Sequence, residues 1–144
     1  MLKSISIVIP TSFHSDGLSL FIQLRRESGP LDGMWEFPGG KIDQGEAPID
    51  AAAREFEEEV GVSVDQQDLK AFSIYPFEYD DRSLLFYIYY IDASLLSGKK
   101  HELTEQKISW ETAKNDVKSA NIPEANKNFL MQFIEFKKTQ LGIL

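Results

Sequence analysis

Apolar and polar positions along the chain fall into two periodicities. Runs that alternate, or that are rich in β-branched and aromatic residues, predict strands over residues 5–9, 19–24, 70–75, 83–91 and 107–110. His14-Ser15-Asp16-Gly17 reads as the turn between the first two. A period near 3.6 appears twice. Residues 48–60 form one helical pattern that stops at Gly61, and residues 123–141 form another, with Phe129, Leu130, Phe133 and Ile134 as its apolar stripe. A short helix is expected over 112–119. Strands mixed with two substantial helices, without regular βα alternation, predict an α+β fold with a mixed β-sheet sandwiched between helices.

Length and composition narrow the picture. A chain of 144 residues can bury one real core, and residues 1–144 are read as a single domain. There are no cysteines, which excludes disulfides, thiolate metal sites and cysteine nucleophiles. No apolar run approaches the roughly 20 residues of a membrane span, and the first ten residues alternate with serine rather than forming a secretory leader. A cytoplasmic protein without a membrane partner is expected, as a monomer or homodimer. The net charge of -8 disfavours a long nucleic-acid partner, but admits a small phosphorylated substrate if cations lie between it and the protein.

The acidity is concentrated in the first helix, at Glu55, Glu57, Glu58 and Glu59. At about 100° per residue, Ile49, Ala52, Ala53, Phe56 and Val60 fall on one side, to be buried against the sheet. Glu55, Glu58 and Glu59 gather on another, around the small Ala51, while Glu57 points away to solvent. Pro48 suits the first helical position and Gly61 the C-terminal cap. Three carboxylates so placed repel one another. They form either a solvated acidic face or a set of oxygen ligands for a hard divalent cation, Mg2+ or Mn2+. The helix alone leaves both open. Upstream, Trp35-Glu36-Phe37-Pro38-Gly39-Gly40-Lys41 runs a strand-like segment into a double glycine, which lets backbone approach a ligand closely.

Residues 40–62 resemble the box of the Nudix hydrolase family, G-x5-E-x7-R-E-U-x-E-E-x-G-U with U a bulky apolar residue. Gly40, Glu46, Arg54, Glu55, Phe56, Glu58, Glu59, Gly61 and Val62 fill every specified position. Ala47 stands where many members carry a capping Ser or Thr, a loss of about 1 kcal/mol at most. The resemblance implies a Nudix fold and metal-dependent cleavage of phosphoanhydrides, with Mg2+ as cofactor and Mn2+ as substitute. It implies Glu55, Glu58 and Glu59 as metal ligands with the Gly39 carbonyl, and Arg54 as their orienting partner, paired with Glu55. Gly40, Glu46 and Gly61 are structural, Glu46 bracing the loop. The general base is a box glutamate or a later-loop glutamate, Glu105 with Glu102 as competitor.

The wider sequence is similar to the MutT-like branch, which removes pyrophosphate from nucleoside triphosphates and clears oxidised guanine nucleotides. Trp35 to Ile42 is typical of it, and Pro123-Glu124-Ala125-Asn126 resembles the segment whose asparagine reads a purine edge. Phe37, Arg26 (or its neighbour Arg25) and Arg82 are further substrate-binding candidates. Pro76, Tyr75 and Tyr79 point instead towards hydrolases of ADP-ribose or dinucleoside polyphosphates, a second reading. A non-catalytic nucleotide-binding module is the third, disfavoured because no box carboxylate is missing. His14 and His101 receive no role.

Overall fold

The computed structural model describes residues 2–25, 29, 31 and 33–143. Its strands are β1 (Leu2–Phe13), β2 (Gly17–Leu24), β3 (Trp35–Glu36), β4 (Gly39–Lys41), β5 (Lys70–Tyr79), β6 (Arg82–Asp92) and β7 (Thr104–Ser109). Its helices are α1 (Pro48–Val60), α2 (Ala113–Ser119) and α3 (Glu124–Gln140). The sheet runs β3-β2-β1-β6-β5, with β4 also on β1 and β7 on β2. β1 and β6 are parallel and every other pairing is antiparallel, so the sheet is mixed.

Alternation along β1 feeds two cores. Ile7 and Ile9 face α3, joining Leu20, Phe86, Phe129 and Phe133 in one buried cluster. Val8 turns the other way, onto Ala52, Phe56 and Val60 of α1. Helices thus cover both sides of the sheet, as the patterning predicts. Each fully buried large side chain, Phe56 and Phe129 among them, contributes about 1.5–3 kcal/mol. Ser6, itself buried, donates from Oγ to the Pro48 carbonyl at 2.6 Å and ties the start of α1 to β1. Among the described residues no helix is long and apolar enough to cross a membrane.

Strand limits differ from expectation where proline or glycine intervenes. β1 continues through Pro10 because its flanking partner changes there: β4 pairs with residues 5–7 and β2 with residues 11–13. The missing N–H falls in the gap between them. β5 runs past Pro76 because it is an edge strand, where proline is tolerated. The double glycine is not a loop but the short strand β4, paired with β1 on one side. β7 begins at Thr104, which moves Glu105 from the expected loop into a strand.

Candidate functional site

α1 is set by its buried side and its ends. Ala51, Ala52, Phe56 and Val60 are buried, Pro48 opens the helix, and Gly61 closes it in the left-handed region at φ 79°, its N–H donating to the Glu57 carbonyl. Ala47 supplies no side-chain cap. Seated in this way, the helix turns Glu55 and Glu59 towards β4. A Cβ on Gly40 would stand 2.5 Å from Glu55 Oε2 and 2.7 Å from Oε1, so the absent side chain is the space that the carboxylate fills. Glu59 Oε1 accepts from the Gly39 N–H at 2.8 Å and from Gln23 Nε2 at 3.1 Å.

Glu59 is an exposed residue whose carboxyl tucks against β4; desolvation there pushes the carboxyl up to about 7, and the charges of Glu36 and Glu55 add to the rise. The bonds from Gly39 and Gln23 oppose it. Glu58 lies apart, its side chain 59% exposed, with Arg54 Nη1 at 3.4 Å. Glu57 is exposed, as expected.

Arg54 organises the approach to the helix. Its Nε and Nη2 each donate to one oxygen of Glu46 at 2.8 Å, while Nη1 donates to Glu55 Oε1 at 2.9 Å and Nη2 to the Lys41 carbonyl at 3.1 Å. The two-bond contact therefore goes to Glu46, and Glu55 receives one bond. A planar guanidinium matches a carboxylate edge to edge, and Glu46 alone presents that edge. Glu46 also accepts from the Asp43 N–H at 3.0 Å. The Arg54 bonds, aided by the Asp43 N–H, hold the Glu46 carboxyl down at about 2, and the same pairing raises Arg54.

A cavity of about 440 Å3 opens beside this cluster, lined in part by Gly39, Gly40, Glu55 and Glu59. Phe37, Arg82 and Asn126 line it too, so these three substrate candidates share a chamber with two of the three expected metal-ligand carboxylates. Asn126 is 7% exposed, and its amide has no hydrogen-bond partner among the described residues. Phe37 is both cavity wall and core, its ring 6.3 Å from that of Phe129. Arg82 lies over the Tyr79 ring at 4.8 Å. Arg25 also lines the cavity and pairs with Glu36 at 3.1 Å, whereas Arg26 lies outside the described residues. Tyr75 packs against Phe129, and Pro76 is exposed; neither lines the cavity.

The two late glutamates part company. Glu105 accepts from the buried Ser19 Oγ at 2.6 Å, and His14 Nε2 lies 3.0 Å from the same hydroxyl. Ser19 and Gln23 are four residues apart on one face of β2, so Glu105 is anchored about 13 Å from the Glu59 contact. Glu102, just before β7, lines a neighbouring cavity of about 380 Å3 together with Gln23 and Glu59. His101 Nδ1 accepts from the Leu103 N–H and helps shape that loop.

The donor set suits a hard cation. Glu55 fills the room that Gly40 leaves, Glu59 is held by the Gly39 N–H, both border one cavity, and oxygen is the only ligand type they bring. Among the described residues no three acidic or histidine side chains stand ready-grouped for a metal, because Glu58 faces outwards. Sequence reasoning passed over Gln23 and Glu36. The available signal was a lone amide within the apolar run Leu20 to Leu24, and a glutamate between Trp35 and Phe37.

Comparison with known proteins places this geometry. The NUDIX domain family matches residues 3–133. The 8-oxo-dGTP diphosphatase of Proteus vulgaris is 35% identical over 89 residues, which span 62% of this chain and 73% of that protein. An RNA pyrophosphohydrolase of Erythrobacter litoralis is 52% identical over 48 residues, covering 33% of this chain and 29% of its own length. A solved MutT structure, of Aliivibrio salmonicida or Vibrio cholerae, superposes with a TM-score of 0.58 at 26% identity, covering 94% of this chain and 98% of that one. The chain belongs to the NUDIX domain family, among the MutT-like pyrophosphohydrolases that act on phosphoanhydride bonds of nucleotides.

Proposed function

We propose that the chain hydrolyses purine nucleoside triphosphates, oxidised guanine nucleotides among them, to monophosphate and pyrophosphate with Mg2+, for which Mn2+ can substitute. The observation that carries this reading is the Asn126 amide, which has no hydrogen-bond partner among the described residues and opens on the same cavity as Glu55 and Glu59. An amide offers a donor and an acceptor side by side, which suits a guanine-type edge. The cavity is within the usual range for small ligands, so a base read by Asn126 would share it with phosphates directed to Glu55 and Glu59.

Hydrolases of this family use a divalent metal. Here Glu55, Glu59 and the Gly39 carbonyl are the proposed holders, joined by Glu58, whose exposed side chain has room to swing from Arg54. The bound cation supplies charge screening, a lowered pKa of water and leaving-group stabilisation. Arg54 keeps Glu55 in place, and Gly39 and Gln23 keep Glu59 in place. Phe37 and Arg82 flank the base. We assign the general base to Glu102, which borders Glu59, rather than to Glu105, which is tied to Ser19. Water adds to phosphorus, its proton passes to the base, and the P–O bond to pyrophosphate breaks. Cytoplasmic nucleotide pools fit such an enzyme.

Incubating the protein with Mg2+ and a panel of nucleotides, including 8-oxo-dGTP and dGTP at low concentration, tests the reading. Chromatography should show monophosphate and pyrophosphate. Release of orthophosphate alone, or no turnover of any triphosphate, would overturn it.

A further inference from the structure

We infer that Gln23 is a positioning residue that holds Glu59 as a one-oxygen metal ligand, and thereby favours small octahedral cations over Ca2+. The inference rests on the metal site proposed above and deepens it. Gln23 is the penultimate residue of β2, a polar side chain in an apolar run. It reaches across to α1, where its Nε2 donates to Glu59 Oε1 at 3.1 Å, and the Gly39 N–H donates to that same oxygen at 2.8 Å. A carboxylate oxygen has about two lone-pair directions, so the two donors occupy Oε1. Oε2 has no hydrogen-bond partner among the described residues and is the oxygen left for a cation.

Donor chemistry matters as well as geometry. A lysine or arginine in this place would stabilise Glu59 but repel an incoming metal. The neutral amide fixes the carboxylate without adding positive charge. Ca2+ accepts carboxylates through one or both oxygens in a loose shell, whereas Mg2+ and Mn2+ hold tightly octahedral shells. Occupying Oε1 denies Glu59 the two-oxygen mode, and that penalises Ca2+ more than the smaller ions.

Mn2+ binding to the full chain, read by electron paramagnetic resonance without nucleotide and with Ca2+ as competitor, tests this. Gln23→Met should weaken Mn2+ about tenfold, the lower end for partners that orient metal ligands. Ca2+ should weaken far less, so that the preference for Mn2+ shrinks about fivefold. Gln23→Asn keeps an amide but is one methylene short, and should follow Gln23→Met. Unchanged Mn2+ affinity, equal weakening of both ions, or wild-type behaviour of Gln23→Asn would each overturn the inference. Glu59→Gln separates the two levels: if it binds Mn2+ like wild type, the metal-site reading itself fails.

Discussion

Replacing each of the two adjacent glycines by alanine should break different things. At Gly40 the added methyl collides with the Glu55 carboxylate, 2.5 Å from Oε2 and 2.7 Å from Oε1. Restoring an ordinary contact of about 3.5 Å requires the carboxylate to move by about 1 Å. The obstacle is the end of a flexible side chain, so the fold can yield. The cost is one bond from Arg54, which keeps both bonds to Glu46, and Tm should fall by only a few degrees. Activity should not survive as well: misplacing a catalytic group by about 1 Å costs on the order of 100-fold. At Gly39 the methyl overlaps the Ser6 carbonyl and stands 2.8 Å from Ile7 Cδ1 and 3.0 Å from Ile7 Cα, backbone that β1 cannot move. Gly39→Ala should therefore lose several kcal/mol of stability, as overpacking does. Thermal unfolding and kcat/KM, measured on both variants with one triphosphate and saturating Mg2+, separate these outcomes. Near-normal turnover by Gly40→Ala, or equal loss of Tm in the two variants, would refute the reasoning.

Asn126→Ala should lower kcat/KM for a guanine triphosphate by about 10–100-fold, the cost of a lost specific hydrogen bond of about 1–3 kcal/mol, and leave pyrimidine substrates nearly untouched. Tm should hold, since the amide has no hydrogen bond among the described residues to lose; an equal fall for both bases would contradict the assignment. Glu102→Gln should reduce kcat by about 100-fold or more, whereas Glu105→Ala should leave kcat near wild type and lower Tm slightly as Ser19 loses its acceptor. The reverse order would return the base to Glu105. The Glu46 carboxyl is held at about 2, below its ordinary 4.5, so the stabilisation from its Arg54 pairing is complete above the ordinary value and is lost as pH falls through about 2. Melting curves between those limits should drop more steeply for wild type than for Glu46→Gln, and parallel curves would count against the pairing.

Helices were the most legible part of the sequence. Pro48, Gly61 and the spacing of Phe56 and Val60 fixed the limits and buried side of α1, because each of these signals is local. Sheet limits were less so, since strand continuation depends on neighbours far along the chain: Pro10 is harmless only because β4 ends and β2 begins around it. The site divides in the same manner. Helical spacing groups Glu55, Glu58 and Glu59, of which Glu58 faces outwards, whereas Arg54 and Asn126 were legible only through the resemblance to the Nudix and MutT-like patterns. Gln23 meets Glu59 only once the sheet and α1 are assembled, and no pattern local to residue 23 states that. Likewise Glu102 and Glu105 look equivalent in sequence until the β2–β7 pairing places Glu105 opposite Phe21.

The Arg54 contacts carry a consequence for how this chain can vary in length. One guanidinium is bonded at once to the Lys41 carbonyl at the end of β4, to Glu46 in the following loop and to Glu55 beside it on α1. A residue added between Glu46 and Arg54 within the helix would rotate everything after it by about 100°, and one added between Lys41 and Glu46 would alter a loop that Arg54 grips at both ends. Indels in this stretch should be far less tolerated than in the turn between β5 and β6 or the segment before β7. A motif written as fixed spacings is, in this molecule, the measure of what a single side chain can reach.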